Sequence, residues 1–494
     1  MRSPRRRGGG LAAIAALSLV SLACTDPPTS GGGGGVVVGE DGEAQLPDCP
    51  LDALGESSAS GPVGVTLWYG GLVGKAKDAM VQIVANFNAA QDDVELVADD
   101  QGADYDEVYR KFTSAAAADT SQLPDIVYLE DVQLRALVDG GLVLPAQSCM
   151  EAAGYDLTQL EPAARSKYSV GDVLYPGYMN ISTPVLYYNK AHWAKAGLDP
   201  EDPPGTLPEV EEVARKLKAA GVSEKPLSFK ADRWFFESWL TGIGVDIVDN
   251  DNGRSGEPTE ATFDTPEARD LMAWLQKMND EGLLNPFADT EGSIDHYLAL
   301  VTQQSSMLVE TSTASSTIAA TVSGTLTAAE AGVDFDESVI DKSQLVPGTG
   351  AYPGIEAPGK IFASGGAFYM LNTSDDPQQS GAWSFLDFML QPANAKLWHT
   401  SGGYLPAVKA VSEEADIQTF WQDDLTGVLL FPAVEQFADA DPDQPGPLIG
   451  PYNDETAAIQ GAMEAILFDG ADIGSALSDA EASATESLQR YAGD

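Results

Sequence analysis

Apolar and polar positions recur with two different periods along this 494-residue chain. Val63 to Trp68 is an apolar strand, and from Val73 to Asn88 the residues Met80, Ile83, Val84 and Phe87 recur at i, i+3, i+4 and i+7, one face of a helix. Val94 to Ala98 reads as the next strand, Tyr105 to Ala116 as a helix and Asp125 to Tyr128 as a third strand. The β-α-β-α-β order predicts a parallel sheet with helices on both faces. Ligands of such sheets lie beyond the carboxyl ends of the strands, which directs attention to the loops after Trp68, Ala98 and Tyr128.

An apolar stretch from Tyr175 to Asn189 leads into a second block with helices expected at 208–219, 266–281 and 294–303. Gly365 to Leu371 is another strand, opening on a glycine pair, and a helix follows from Trp383 to Leu390. The tail from 454 to 492 is largely helical, and no internal repeat stands out.

The N-terminus changes the picture. Arg2, Arg5, Arg6 and Arg7 precede an apolar run from Leu11 to Leu22 and the pair Ala23-Cys24, the layout of an export signal over residues 1–23. The apolar run is too short to span a bilayer, which takes ~20 residues. Cleavage directly before a cysteine is the lipoprotein pattern, so Cys24 is the expected lipidation site. The location implied is outside the cytoplasm, lipid-anchored at the outer face of the cytoplasmic membrane or in the periplasm. Residues 24–60, with Gly31 to Gly35 uninterrupted, read as a flexible linker. The remaining body exceeds the ~250–300 residues at which single cores stop growing, so at least two lobes are expected. With Cys24 lipidated, Cys49 and Cys149 are left in an oxidising setting; a disulfide is the first expectation and two separate thiols the alternative.

Charge narrows the partners. Twenty-seven basic against 75 acidic residues give −48, and losing the four arginines of the signal takes this to −52. Nucleic acid and anionic surfaces are disfavoured at long range. His192, His296 and His399 lie far apart, without metal-ligand spacing, and no P-loop or nucleophile elbow occurs, so no metal, cofactor or catalytic residue is expected. Asp249-Asn250-Asp251-Asn252-Gly253 departs from a calcium loop in its glycine position and reads instead as an Asn-Gly turn between strands.

Three runs carry a resemblance: Ser182 to Lys190 with Ala196-Gly197-Leu198-Asp199-Pro200; Phe385 to Phe388 with Pro392-Ala393-Asn394-Ala395 and Trp398-His399; and Gly403-Tyr404-Leu405-Pro406. Over nearly all of residues 62–490 the chain resembles the extracellular solute-binding proteins of ABC importers (carbohydrate family 1), closest to the branch that binds sn-glycerol 3-phosphate. The resemblance implies an α/β, two-lobe periplasmic-binding-protein-like fold (type II), with mostly parallel sheets and hinge crossovers near 175–182, 362–370 and 402–408. The lobes would be 61–178 plus 368–404 and 179–367 plus 405–494. It implies capture of a sugar or polyol by a monomer, membrane contact through the lipid anchor alone, and delivery to ABC permease subunits and their ATPase.

The positions it marks for ligand are Trp68, Tyr69, Tyr105, Glu130, Ser182, Trp234, Gly366 and Tyr404, with Thr311 or Ser312. Aromatic faces meet sugar C–H surfaces, while carboxylate and hydroxyl groups meet its hydroxyls. One departure bears on the ligand. Leu448 stands nearest the place where the glycerol-phosphate branch carries a phosphate-binding arginine, which favours a neutral ligand; Arg233 or Lys230 could replace that cation. Glycerol 3-phosphate or a glycerophosphodiester is therefore the alternative ligand, and a surface carbohydrate hydrolase the remote alternative function.

Overall fold

The computed structural model describes residues 37–38, 44–58, 61–72, 74–102, 104–290, 293–325, 341 and 343–493. The export signal, Cys24 and most of the glycine-rich linker lie outside the described residues. Val63–Gly70 (β1), Val94–Gly102 (β2) and Ile126–Glu130 (β3) pair in parallel. The short strands Val143–Leu144 (β4) and Tyr178–Met179 (β5) follow. The chain then passes into a second sheet made of Pro184–Asn189 (β6), Leu227–Lys230 (β7), Leu284–Phe287 (β8), Met307–Thr311 (β9) and Pro347–Ala351 (β10). It returns to the first sheet as Gly366–Leu371 (β11).

The first sheet has the order β2-β1-β3-β11-β4, with β5 beside β11; the second has the order β8-β7-β9-β6-β10. The expectation of mostly parallel sheets needs correction, because both are mixed. β11 runs antiparallel to β3, β4 and β5, and β6 runs antiparallel to β9 and β10. The physical reason is connectivity: β6 and β11 are delivered by chain crossing from the other sheet rather than by a β-α-β unit, so nothing forces them into the parallel sense. Both are buried along their whole length, which explains why they read as continuous apolar runs.

The buried apolar residues form two hydrophobic clusters, and the second sheet contributes to both, Val185, Tyr187 and Leu308 to the first and Leu186, Met307 and Val309 to the second. Val65, Leu67, Ile83, Phe87, Phe112 and Phe385 belong to one, and Leu186, Trp193, Phe229, Phe235, Met272 and Ile466 to the other. The helical face read from Met80, Ile83 and Phe87 packs inward on helix Gly74–Ala90. Helix Tyr105–Ala118 starts where Asp104 accepts the Glu107 N–H at 2.7 Å. The helix foreseen from Trp383 begins earlier, at Asp376, with proline in its first turn, a position where the missing N–H costs nothing.

The crossing segments lie side by side. Asn180 N–H donates to the Gly366 carbonyl at 2.7 Å, Ser182 and Ser364 exchange backbone bonds at 2.8 and 3.1 Å, and Leu405 N–H donates to the Ile181 carbonyl at 2.8 Å.

Two local expectations change. Residues 46–58, read as the end of a free linker, are packed: Leu46, Leu51 and Leu54 sit against the first cluster, Ser380 Oγ donates to the Leu51 carbonyl at 2.9 Å, and Cys49 is joined to Cys149. Asp249–Gly253 is not a simple strand turn. Asn250, Asp251 and Asn252 are all left-handed (φ 56°, 57° and 55°) before Gly253. Asparagine and aspartate tolerate this region by bonding locally, and here Asn250 Nδ2 donates to the Glu257 carbonyl at 2.7 Å while Asn252 Oδ1 accepts from Ile247 N–H at 3.1 Å.

Candidate functional site

The carboxyl ends of β1 and β3, the three crossing segments and the start of helix Arg233–Thr241 supply the residues in question. Gly366 pairs with Glu130 in the antiparallel ladder between β11 and β3. A Cβ at Gly366 would overlap the ring and hydroxyl of Tyr128, so glycine is required there to admit Tyr128. The Tyr128 hydroxyl meets that of Tyr105 at 2.8 Å. Asn180, fully buried, donates from Nδ2 to the same Tyr128 oxygen and accepts from Trp398 Nε1 at 2.5 Å. Trp398 stacks on Tyr404, with ring centres 5.6 Å apart and planes 11° from parallel. Burial pushes the phenols of Tyr105, Tyr128 and Tyr404 above the ordinary tyrosine range, so they act as neutral hydroxyls.

Glu130, half-buried, is pushed up to about 8 by desolvation; Asp131, Asp106 and Asp232 add to the rise and Arg233 opposes it. It is a carboxylic acid over much of the neutral range and can donate as well as accept. From the second sheet, Asp232 caps the helix by accepting Trp234 N–H at 2.9 Å, setting the half-buried Trp234 beside Arg233. Lys230 is committed to Asp232 and Asp289 at 2.9 and 3.1 Å. Arg233 lies over the Tyr452 ring at 5.5 Å, and its Nε has no hydrogen-bond partner among the described residues. Below it, Tyr452 donates to the fully buried Glu237 at 2.7 Å, and burial pushes Glu237 up to about 7. Asn453 bridges the sheets, donating to Asp106 at 3.1 Å and accepting from Gln133 at 3.4 Å.

The marked residues do not all converge. Tyr105, Glu130, Gly366 and Tyr404 gather with Tyr128 and Asn180, and Trp234 approaches through Arg233, which shares an electrostatic neighbourhood with Glu130. Trp68 and Tyr69 are neighbours on a strand and point to opposite faces, so they form no continuous wall; Trp68 is half-buried and Tyr69 sits in the core. Ser182 spends its hydroxyl on the Ser364 carbonyl at 3.2 Å. Ser312 is fully buried, with its hydroxyl accepting from Thr183 N–H at 3.3 Å, whereas Thr311 ends β9 half-buried.

Several contributors are not among the positions marked for ligand in the sequence: Tyr128, Asn180, Glu237, Tyr452 and Trp398, which entered only as part of a family run. Glu237 had a usable signal, as a lone acid inside the apolar run Trp234-Phe235-Phe236-Glu237-Ser238-Trp239.

Two mixed sheets are joined by crossing segments, and tyrosines, acids and an arginine gather where those segments lie. The chain belongs to the bacterial extracellular solute-binding protein family, whose model matches residues 82–425. It is similar to the sn-glycerol-3-phosphate-binding periplasmic protein UgpB of Escherichia coli K12, 27% identical over 375 residues, 72% of this chain and 77% of that protein. Among solved structures it is similar to the cyclic alpha-maltosyl-1,6-maltose binding protein of Arthrobacter globiformis (TM-score 0.66, 23% identity, 87% of this chain and 100% of that one). It is likewise similar to UgpB of Mycobacterium tuberculosis in complex with glycerophosphocholine (TM-score 0.67, 18% identity, 87% and 99%). These two likenesses concern the fold.

Proposed function

We propose that the protein captures a neutral sugar or polyol outside the cytoplasm and presents it to an ABC import permease, with two lobes closing about the crossing segments. The observation that carries this reading is the composition of the gathered groups. Neutral hydroxyls of Tyr105 and Tyr404 stand with the acid of Glu130, and Arg233, next in the chain to Trp234, shares their electrostatic neighbourhood. Charge supports neutrality: Arg233 stands beside the ionised Asp232, which also pairs with Lys230, and Leu448 is a buried apolar side chain. A phosphate dianion brought here would find Lys230 already held by Asp232 and Asp289, and Arg233 already beside Asp232. Closure requires that ligand bind the closed form better than the open one. Anchoring through a lipid on Cys24 completes the proposal, and intact-mass analysis of the protein extracted from membranes tests it.

The test of the site is a pair of variants, Trp234→Ala and Glu130→Ala. Each is expected to weaken binding of the captured sugar at least tenfold with the fold intact; unchanged affinity in both would overturn the assignment. A second reading, capture of glycerol 3-phosphate or a glycerophosphodiester, is favoured by the unpartnered Arg233 Nε and by the name of the E. coli relative. Under it, Arg233→Ala abolishes binding of the phosphate ester, whereas the neutral-ligand reading predicts no phosphate-ester binding to lose.

A further inference from the structure

The indole N–H of Trp398 can only donate, so the Asn180 atom it meets at 2.5 Å is the carbonyl oxygen Oδ1. That fixes the amide: Nδ2 faces Tyr128 and donates to its hydroxyl oxygen. The Tyr128 hydrogen is then left to point away from Asn180, toward the hydroxyls of Tyr105, at 2.8 Å, and of Tyr404. With Tyr128 donating to it, the Tyr105 oxygen keeps its own hydrogen free for Tyr404 alongside or for a ligand. The backbone holds this orientation. Asn180 N–H donates to Gly366 at 2.7 Å, and Gly365, at φ +140°, passes so close to the Asn180 carbonyl that a Cβ could not fit. Tyr168 closes the remaining side, donating to the Gly365 carbonyl at 2.8 Å.

We propose that Asn180 is a positioning residue that sets the direction of the chain Trp398–Asn180–Tyr128–Tyr105. Tyr105 thereby presents a donor, and the site selects a ligand atom that accepts, a hydroxyl or ring oxygen, over an ammonium nitrogen. The selection rests on the sugar or polyol reading above; the direction of the chain does not. Asn180 touches no ligand in this scheme and works through two tyrosines. Asn180→Asp is isosteric and inverts the chain: an aspartate oxygen replaces the donor, Tyr128 donates inward, Tyr105 donates to Tyr128, and a lone pair faces the cleft. Protonated aspartic acid can donate again and restores the original direction. The ionisable groups facing this position are the phenols of Tyr105, Tyr128, Tyr168 and Tyr404, with Glu130 and Asp131 the carboxyls beyond them.

Neutron diffraction of the ligand-free protein reads the direction without knowing the ligand. The expected result is deuterium on Tyr128 pointing at Tyr105; deuterium on Tyr105 pointing at Tyr128 would overturn the inference. Calorimetry with galactose, ribitol and maltose, each beside an amino-substituted analogue, then reads the selection. Asn180→Asp should weaken the neutral probes at least tenfold at pH 8, narrow the gap to the amino analogues, and recover relative to wild type as pH falls. A constant loss at every pH, tracking only a drop in melting temperature, would reduce Asn180 to a structural residue. Trp398→Phe, which keeps the ring on Tyr404 but frees the amide to flip, should lower the same neutral/amino ratio; an unchanged ratio counts against the scheme. If wild type binds no neutral sugar or polyol across a broad panel, the capture reading fails with the selection that rests on it, while the neutron result still decides the direction.

Discussion

Lys167 and Asp131 form an ion pair at 2.9 Å with side chains 3% and 0% exposed, where the first sheet approaches the second. Asp131 Oδ1 also accepts from Ser364 Oγ at 2.7 Å and from Gly365 N–H at 2.8 Å, so the pair fixes a crossing segment. Removing one partner of a buried pair leaves an uncompensated charge, whereas removing both leaves none. Lys167→Met should cost about 3 kcal/mol in urea unfolding, and Lys167→Met with Asp131→Asn should recover most of it.

Gly366→Ala tests the close passage of Tyr128. The added Cβ has less than 3.0 Å of room against both ring and hydroxyl, inside a strand paired on two sides. Overpacking of this kind costs roughly 1–3 kcal/mol. Thermal unfolding should show that loss, and calorimetry should show weaker ligand binding than the stability loss explains, because Tyr128 holds Tyr105.

The pH dependence has a defined sign. Glu237 ordinarily titrates near 4.5 and in the folded chain near 7, raised by burial first, with Tyr452, Arg233 and Lys167 pulling the other way. Between those values the folded state holds a proton that the unfolded chain has lost. Stability therefore falls as pH rises from about 4.5 to about 7, by up to ~1.4 kcal/mol per pH unit from this group. Glu455 and Glu130 are raised in the same sense, so the comparison is with Glu237→Gln, whose stability should fall less steeply across that window. Equal slopes for wild type and variant would contradict the assignment.

The disulfide closes a loop of 100 residues and ties the packed segment 46–58 to the first cluster. A loop that long contributes about 4–5 kcal/mol of chain entropy in the unfolded state. Cys49→Ser with Cys149→Ser should lower the urea midpoint accordingly and free residues 46–58 to limited proteolysis.

Elements with strong internal periodicity were legible in the sequence: β1, β2, β3 and the helices between them fall within a few residues of their predicted limits, because each burial pattern is local. The antiparallel placement of β6 and β11 was not legible, since direction comes from a crossing that no window of sequence contains. The site divides the same way. Glu130 and Tyr105 stand at strand and helix ends that local pattern exposes. Asn180 is one polar residue in an apolar run, and its partners Tyr128 and Trp398 lie 52 and 218 positions away. Trp68 and Tyr69 were marked by the resemblance together, and strand geometry sends the two rings to opposite faces.

The central claim is capture of a neutral polyhydroxylated ligand, and a thermal-shift screen of residues 44–494 tests it most directly. The panel would hold mono- and oligosaccharides, polyols, glycerol 3-phosphate and glycerophosphodiesters. A ligand at 100 times its dissociation constant stabilises by ~2.7 kcal/mol, a shift of about 3 °C for a body of this size. A protein that captures neutral ligands shows that shift with one or more sugars or polyols and none with the phosphate esters. A shift with phosphate esters alone would contradict the claim and make Arg233 the anion's partner.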